Sequence, residues 1–167
     1  MEDAVKAYLD NNVVSAIARN DTPTETDAID RLLAAYEQGK VDLGTSELTL
    51  VEIKAYAGPM RPQIERIYRL LKKVPVVSWS NPLFLNVLHN RSSNINSPMF
   101  ETDALYVSLL DLGLEQVDAQ HLFVAAKQSC DYFLTCDRGI LSRDSSIHQR
   151  CGFIAQKPSD LVASQGW

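Results

Sequence analysis

Strand-like and helix-like segments alternate along this 167-residue chain, and that alternation constrains its fold more than any other feature. Strands separated by helices do not pair as hairpins, so they lie mostly parallel, with the helices covering both faces of the sheet. Val5 to Leu9 reads as a buried strand, followed by a turn at Asn11-Asn12 and a short helix from Val13 to Arg19. Ile29, Leu32, Leu33 and Tyr36 follow helical spacing in a segment from about Thr26 to Gln38, with Thr26 as its cap and Gly39 as its stop. Val41 to Thr45 is the next strand, after which Ser46 caps a helix carrying Leu48, Val51, Glu52 and Ala55.

The second half continues the pattern. Pro62 opens a helix that buries Ile64, Ile67, Tyr68 and Leu71, and Val74 to Val77 reads as a short edge strand, because proline cannot donate to a ladder. Pro82 to Leu88 reads as a short helix and Arg91 to Pro98 as an exposed loop. Helices are expected over Thr102 to Leu112, stopped by Gly113, and over Val117 to Gln128. Tyr132 to Thr135 and Phe153 to Ala155 read as strands, and Pro158-Ser159-Asp160 opens a terminal helix.

Length and composition bound the rest. A chain of this size that is 46% hydrophobic can bury one core and is short for two, so a single domain over residues 1–167 is expected. The first residues are acidic, no apolar signal region follows them, and no apolar run approaches a membrane span, which predicts a soluble, cytoplasmic protein. Cys130, Cys136 and Cys151 are odd in number and form no Cys-x-x-Cys pair, so they read as reduced thiols in or near the core. The net charge of −5 argues against a broad nucleic-acid-binding surface, although two divalent ions in an acidic pocket would largely cancel it.

Four carboxylates stand out against this background: Asp10, Glu52, Asp118 and Asp137. Ligand sites in parallel sheets collect at the carboxyl ends of the strands. Asp10 directly follows the first strand and Asp137 closely follows Tyr132 to Thr135, so both should face that rim. Taken singly, each is as well explained as a turn or cap residue. Glu52 shares a stripe with Leu48, Ala55 and Tyr56, and Asp118 with Leu122, Ala125 and Ala126, which points both inward. A buried pair with Arg or Lys would account for Glu52 alone, and complementing the helix dipole would account for Asp118 alone. One shared metal pocket accounts for all four.

Hard divalent cations such as Mg²⁺ or Mn²⁺ take oxygen ligands, and a two-ion site suits phosphodiester hydrolysis. Asn12, Thr49 and Thr135 either orient ligands and bind phosphate or serve ordinary turn and cap chemistry, and Arg138 either reaches the scissile phosphate or, at least as well, is a surface arginine at a helix start. Arg66, Arg69 and Lys73 form a basic stripe that either tracks an RNA backbone or is simply a solvated helix face. His121 lies beside Asp118 but points off its stripe, and His89 and His148 show no ligand-like spacing, so no histidine receives a catalytic role.

The segments Tyr-Leu-Asp-Asn-Asn-Val from Tyr8, Thr-Ser-Glu-Leu-Thr-Leu-Val-Glu-Ile from Thr45, Asp-Ala-Gln-His-Leu-Phe-Val-Ala-Ala from Asp118 and Asp-Tyr-Phe-Leu-Thr-Cys-Asp-Arg-Gly-Ile-Leu from Asp131 resemble, in order and spacing, the successive motifs of the PIN domain. The resemblance runs from Tyr8 to about Leu161. It implies a three-layer α/β/α fold, a Mg²⁺- or Mn²⁺-dependent ribonuclease activity and the role of toxin in a VapC-type toxin–antitoxin pair. Its partners would be RNA, an antitoxin protein and a second copy of the chain as a homodimer. Carried over by motif, Asp10, Glu52, Asp118 and Asp137 are the metal-binding acids, with Asn12 and Thr135 as accompanying polar residues. Asn11 departs from the pattern, standing where the family often has a small hydroxyl residue.

Two other functional classes compete with a nuclease. A catalytically silent scaffold that binds RNA or protein has no need of clustered repulsive charge. A receiver or phosphatase domain would need a second acid beside the first, but Asn12 occupies the position that an Asp-x-Asp pair would use.

Overall fold

The computed structural model of the chain describes residues 4–13, 15, 23–62, 64, 76–77 and 103–167. Among them the strands β1 (Val5–Leu9), β2 (Val41–Ser46), β3 (Val76–Val77), β4 (Tyr132–Leu134) and β5 (Ile154–Gln156) form one sheet in the order β3-β2-β1-β4-β5. Every pairing is parallel, and β3 takes the edge position expected for its proline-bearing segment. The helices are α1 (Pro23–Glu37), α2 (Glu47–Ala55), α3 (Ala104–Leu110), α4 (Gln116–Lys127), α5 (Arg138–Leu141), α6 (Asp144–Cys151) and α7 (Pro158–Gln165).

Alternation along the central strands builds two cores, one on each face of the sheet. Ala7 and Leu9 of β1 and Leu134 of β4 pack with Ile29 and Leu32 of α1 and with Leu161 and Val162 of α7. Tyr8 and Phe133 point the other way, toward Leu109 of α3, Leu122 and Val124 of α4, and Ile147 of α6. The result is an α/β fold with helices on both sides of a parallel sheet, the three-layer arrangement expected. Tyr8, Phe133 and Phe153 stack across the second face, with centroids 5.3 Å and 5.8 Å apart. Among the described residues no helix is long and apolar enough to cross a membrane.

Several local expectations need correction. Asn11 and Asn12 are already helical and not a free turn, because Val13 N–H bonds Asp10 O at 3.1 Å and starts the helix at once. Helix α1 begins at Pro23, whose missing N–H costs nothing in a first turn, so Thr26 lies inside the helix and its buried hydroxyl has no hydrogen-bond partner. Gly39 does end α1: at φ +70° it lets Lys40 N–H reach Ala35 O at 3.0 Å. Ser46 sits at the cap position of α2 but makes no cap hydrogen bond. Helix α3 is shorter than expected at both ends: Asp103 caps its start through Leu105 N–H at 2.9 Å, and after Leu110 the chain turns through Leu112 N–H to Leu109 O at 3.2 Å and Gly113 N–H to Leu110 O at 2.9 Å. Helices α5 and α6 had no counterpart in the sequence pattern, since both are short and α5 depends on a cap. The three cysteines are free and half-buried, and burial pushes each thiol up to about 11.

The segments expected as a helix over Pro82 to Leu88 and a loop over Arg91 to Pro98 lie outside the described residues, as do Arg66, Arg69, Lys73 and His89. So does most of the helix expected after Pro62, whose described Ile64 is buried as anticipated.

One buried carboxylate serves the fold. Glu25 of α1 is 5% exposed and accepts hydrogen bonds from Ser159 Oγ at 2.7 Å and Ser159 N at 3.1 Å, in the first turn of α7. It joins the two helices that cover one face of the sheet and satisfies a helix-terminal donor. Glu25→Ala leaves that half-buried donor without its partner, which should cost about 1 kcal/mol. A urea denaturation midpoint equal to that of the wild type would contradict this role.

Candidate metal and nucleic-acid site

Because all the strands run the same way, their carboxyl ends form one rim, and the sequence places the acids there or on adjoining helices. Asp10 follows β1 and is only 4% exposed. Its Oδ2 accepts from Thr135 Oγ1 at 2.8 Å, and its backbone N–H extends the ladder to Leu134 O at 3.0 Å. Thr135 also accepts from Asp137 N at 3.0 Å, so one buried hydroxyl links the strand-end acids.

Asp137 caps α5. Its Oδ1 accepts from Gly139 N at 2.6 Å and Ile140 N at 3.1 Å, while Oδ2 accepts from Asn12 Nδ2 at 3.3 Å. A Cβ at residue 139 would stand 2.8 Å from that Oδ1, so any other residue there would make the Asp137 carboxylate shift. Arg138 is exposed at the first position of α5, beside this cap. The cap reading of Asp137 is therefore correct, and Oδ2 is the oxygen left toward Asn12.

Glu52 keeps 24% of its side chain exposed, and both of its oxygens are held. Oε1 is hydrogen-bonded to His121 Nε2, and Oε2 accepts from Asn11 Nδ2 at 3.1 Å. The stripe expected for α2 holds at Leu48, which is buried, but fails at Ala55, which is exposed. Asp118 lies half-buried in the first turn of α4.

Electrostatics tie the four together. Burial, then the charges of Asp10, Asp137 and Glu115, push the Asp118 carboxyl up to about 7, against a partial offset from His121. Burial also raises Asp10, helped by Glu52 and opposed by His121 and the Thr135 hydrogen bond. Burial disfavours the charged form of His121, but the hydrogen bond to Glu52 and the charges of Asp10, Glu52 and Asp118 outweigh it and raise the imidazole. Carboxylates that raise one another's affinity for a proton make up an acidic cluster at this rim.

Two sequence expectations change here. Thr49 was expected to orient ligands or bind phosphate, yet it is 1% exposed and its hydroxyl is spent on Thr45 Oγ1 at 2.8 Å, which in turn donates to Leu9 O at 3.0 Å. It braces β2 against β1 beneath the rim. His121, given no role because it points off the Asp118 stripe, is 1% exposed and contacts Glu52 directly. Its Nδ1 lies 2.7 Å from Tyr8 OH, which is 2.6 Å from Ser46 Oγ. The stripe argument assumed one buried face for α4, whereas Ala119 through Ala125 are all buried. The near-continuous apolar run around His121 was the available signal.

The donor chemistry suits a hard divalent cation: carboxylate oxygens, the Asn11 Oδ1 that is buried without a hydrogen-bond partner, and a proton on Asp118 that a cation would displace. Among the described residues no three His, Cys, Asp or Glu side chains already converge as a metal-ligand group. The fit therefore rests on donor type and mutual repulsion.

A pH dependence follows for the metal-free protein. Asp118 titrates near 7 when folded and near 3.8 when unfolded, so between these values the native state holds the extra proton and stability falls as pH rises. Asp10 and His121 are raised as well, and both act in the same direction. In EDTA, stability should drop from pH 5 to pH 8, and Asp118→Asn should remove on the order of 1–2 kcal/mol of that drop after allowance for solvent screening. Equal drops in wild type and variant, measured by urea melts at both pH values, would contradict the coupling.

Fold and rim together define an α/β protein with an acidic cluster at the carboxyl edge of a parallel sheet. In comparisons with known protein families and with curated proteins, no family model and no curated protein matches the chain.

Proposed function

We propose that this protein is a metal-dependent endoribonuclease of the PIN-domain type, acting as the toxin of a VapC-type toxin–antitoxin pair. The observation that carries the reading is the coupling of Asp118 to Asp10 and Asp137, whose charges add to burial in raising its carboxyl to about 7. A fold without a cation to bind gains nothing from such stored repulsion.

Asp10, Glu52, Asp118 and the free side of Asp137 would hold Mg²⁺ or Mn²⁺, which when bound would activate water and offset charge on the leaving oxygen. The chain's own residues prepare that site. Thr135 fixes Asp10, the α5 N-terminus and Asn12 fix Asp137, and Arg138, exposed beside that cap, would meet the phosphate. RNA is the substrate, hydrolysed to a 5′-phosphate and a 3′-hydroxyl. Two copies pairing as a homodimer would align two acidic pockets along one RNA path, and an antitoxin would inhibit by pushing an Arg or Lys into the pocket in place of the cation.

A silent scaffold is the second reading, favoured by the cap made by Asp137, which needs no metal. Incubating purified protein with RNA in EDTA, Mg²⁺ and Mn²⁺ separates the two. Cleavage that requires the cation supports the nuclease, and intact RNA under all three conditions supports the scaffold.

A further inference from the structure

Each strand-end acid of the rim is held by its own neighbours: Asp10 by Thr135, and Asp137 by α5 backbone N–H groups and Asn12. Glu52 differs from both. It is the longest of the four side chains and sits on a helix, so nothing in its own backbone fixes where its carboxylate points. The groups that fix it come from elsewhere, Asn11 at the start of the helical residues after β1 and His121 from α4.

The hydrogen-bond directions can be deduced. An ionised carboxylate only accepts, so Nε2 of His121 donates to Glu52. Nδ1 then meets the Tyr8 hydroxyl at 2.7 Å, and that hydroxyl is hydrogen-bonded to Ser46 at 2.6 Å. Tyr8, Ser46 and His121 are each at most 1% exposed, so water does not compete within this chain. The imidazole is also packed edge-on to the Tyr8 ring, at 65° and 5.8 Å between centroids. The displaced cap hydroxyl of Ser46 thus has a purpose: it is the far anchor of a rod that ends on Glu52.

We propose that His121 is the positioning residue for Glu52, braced by Tyr8 and Ser46 and matched on the other carboxylate oxygen by Asn11, so that Glu52 presents a fixed face to a divalent cation. This rests on the nuclease reading of the rim. It also gives Asn11, the residue that departs from the PIN pattern, a defined task on the metal side and not on the substrate.

Mn²⁺ alone is the probe, titrated by calorimetry into the full chain, beside cleavage of a mixed RNA pool and a circular dichroism check of folding. His121→Asn keeps a group facing Tyr8 but withdraws the donor from Glu52, and should weaken Mn²⁺ binding about 10- to 100-fold, the usual scale for groups that orient metal ligands. His121→Gln places its amide N–H where Nε2 stood and should recover most of that loss, which a general packing role would not explain. In a Glu52→Gln background, His121→Asn should change Mn²⁺ binding no further, because the two residues act as one unit. If His121→Asn fails to fold, Tyr8→Phe removes the brace alone and should weaken Mn²⁺ binding in the same direction.

Wild-type Mn²⁺ affinity in His121→Asn, with Asp10→Asn and Glu52→Gln both impaired, would overturn this inference and leave the nuclease reading standing. An equal loss with and without Glu52 would also overturn it, by showing that His121 acts on the fold and not through the carboxylate. A wild type that neither binds Mn²⁺ nor cleaves RNA would end the nuclease reading and this inference together.

Discussion

Asp118→Asn is expected to reduce RNA cleavage at least about 100-fold, since even groups outside the ligand shell of a metal site cost about 10- to 100-fold when removed. The same variant should melt, without metal, at or above the wild-type temperature. Asp118 is half-buried and its carboxyl is driven up by burial and by the charges of Asp10 and Asp137. Replacing it with a neutral amide removes that repulsion and leaves the α4 backbone as it was. Mg²⁺ or Mn²⁺ at a hundredfold excess over Kd should stabilise the wild type by about 2.7 kcal/mol and the variant much less. If Asp118 served only the helix dipole, the outcome would invert, with about 0.3–1 kcal/mol of stability lost and no metal effect. Thermal melts with and without metal, read beside cleavage, decide it. A variant that melts well below the wild type yet cleaves RNA would remove Asp118 from the site.

Phe133→Ala should have the largest effect on the fold. Phe133 is fully buried on β4 and stacks between Tyr8, at an interplanar angle of 9°, and Phe153, at 20°. Truncation leaves a void between Tyr8 on β1 and Phe153 just before β5, costing about 3–5 kcal/mol. Against a total stability of about 5–15 kcal/mol, that is a large share of what holds the domain folded. Phe133→Leu leaves a smaller void and should cost less. Since Tyr8 also contacts His121, Phe133→Ala should loosen Glu52 and weaken Mn²⁺ binding even where the variant stays folded. A urea midpoint within error of the wild type would show that the stacked layer repacks and that the second core is not built on it.

The two variants test opposite faces of one design. Asp118 lies at a rim where repulsion is tolerated, and Phe133 lies in a layer where contact is maximal. Function without stability and stability without direct function are expected to separate along that line.

Much of the fold was legible because burial imposes periodicity. β1 matches its expected bounds, the parallel sheet follows from the alternation of strands and helices, and Gly39 and Pro158 mark helix ends where the structure has them. Asp10 and Asp137 were legible as rim acids for the same reason: each follows a strand, and parallel strands end on one side. Less could be read wherever a side chain had a choice of partner. Ser46 looked like a cap and gave its hydroxyl to Tyr8, Thr49 looked like a ligand-orienting group and bonded Thr45, and Thr26 looked like a cap and lies inside α1.

His121 marks the limit most sharply. Its partners are Tyr8, 113 residues away, and Glu52, 69 residues away, and nothing local to α4 names either of them. The alternation of apolar and polar residues was enough to set the strands parallel, put helices on both faces and bring Asp10 and Asp137 to one edge, because each follows from nearest-neighbour geometry and the removal of apolar surface from water. Which donor holds which carboxylate oxygen was decided only when β1, α2 and α4 packed together, because a hydrogen bond depends on distances of a few tenths of an ångström between groups that the chain itself leaves free to meet any partner.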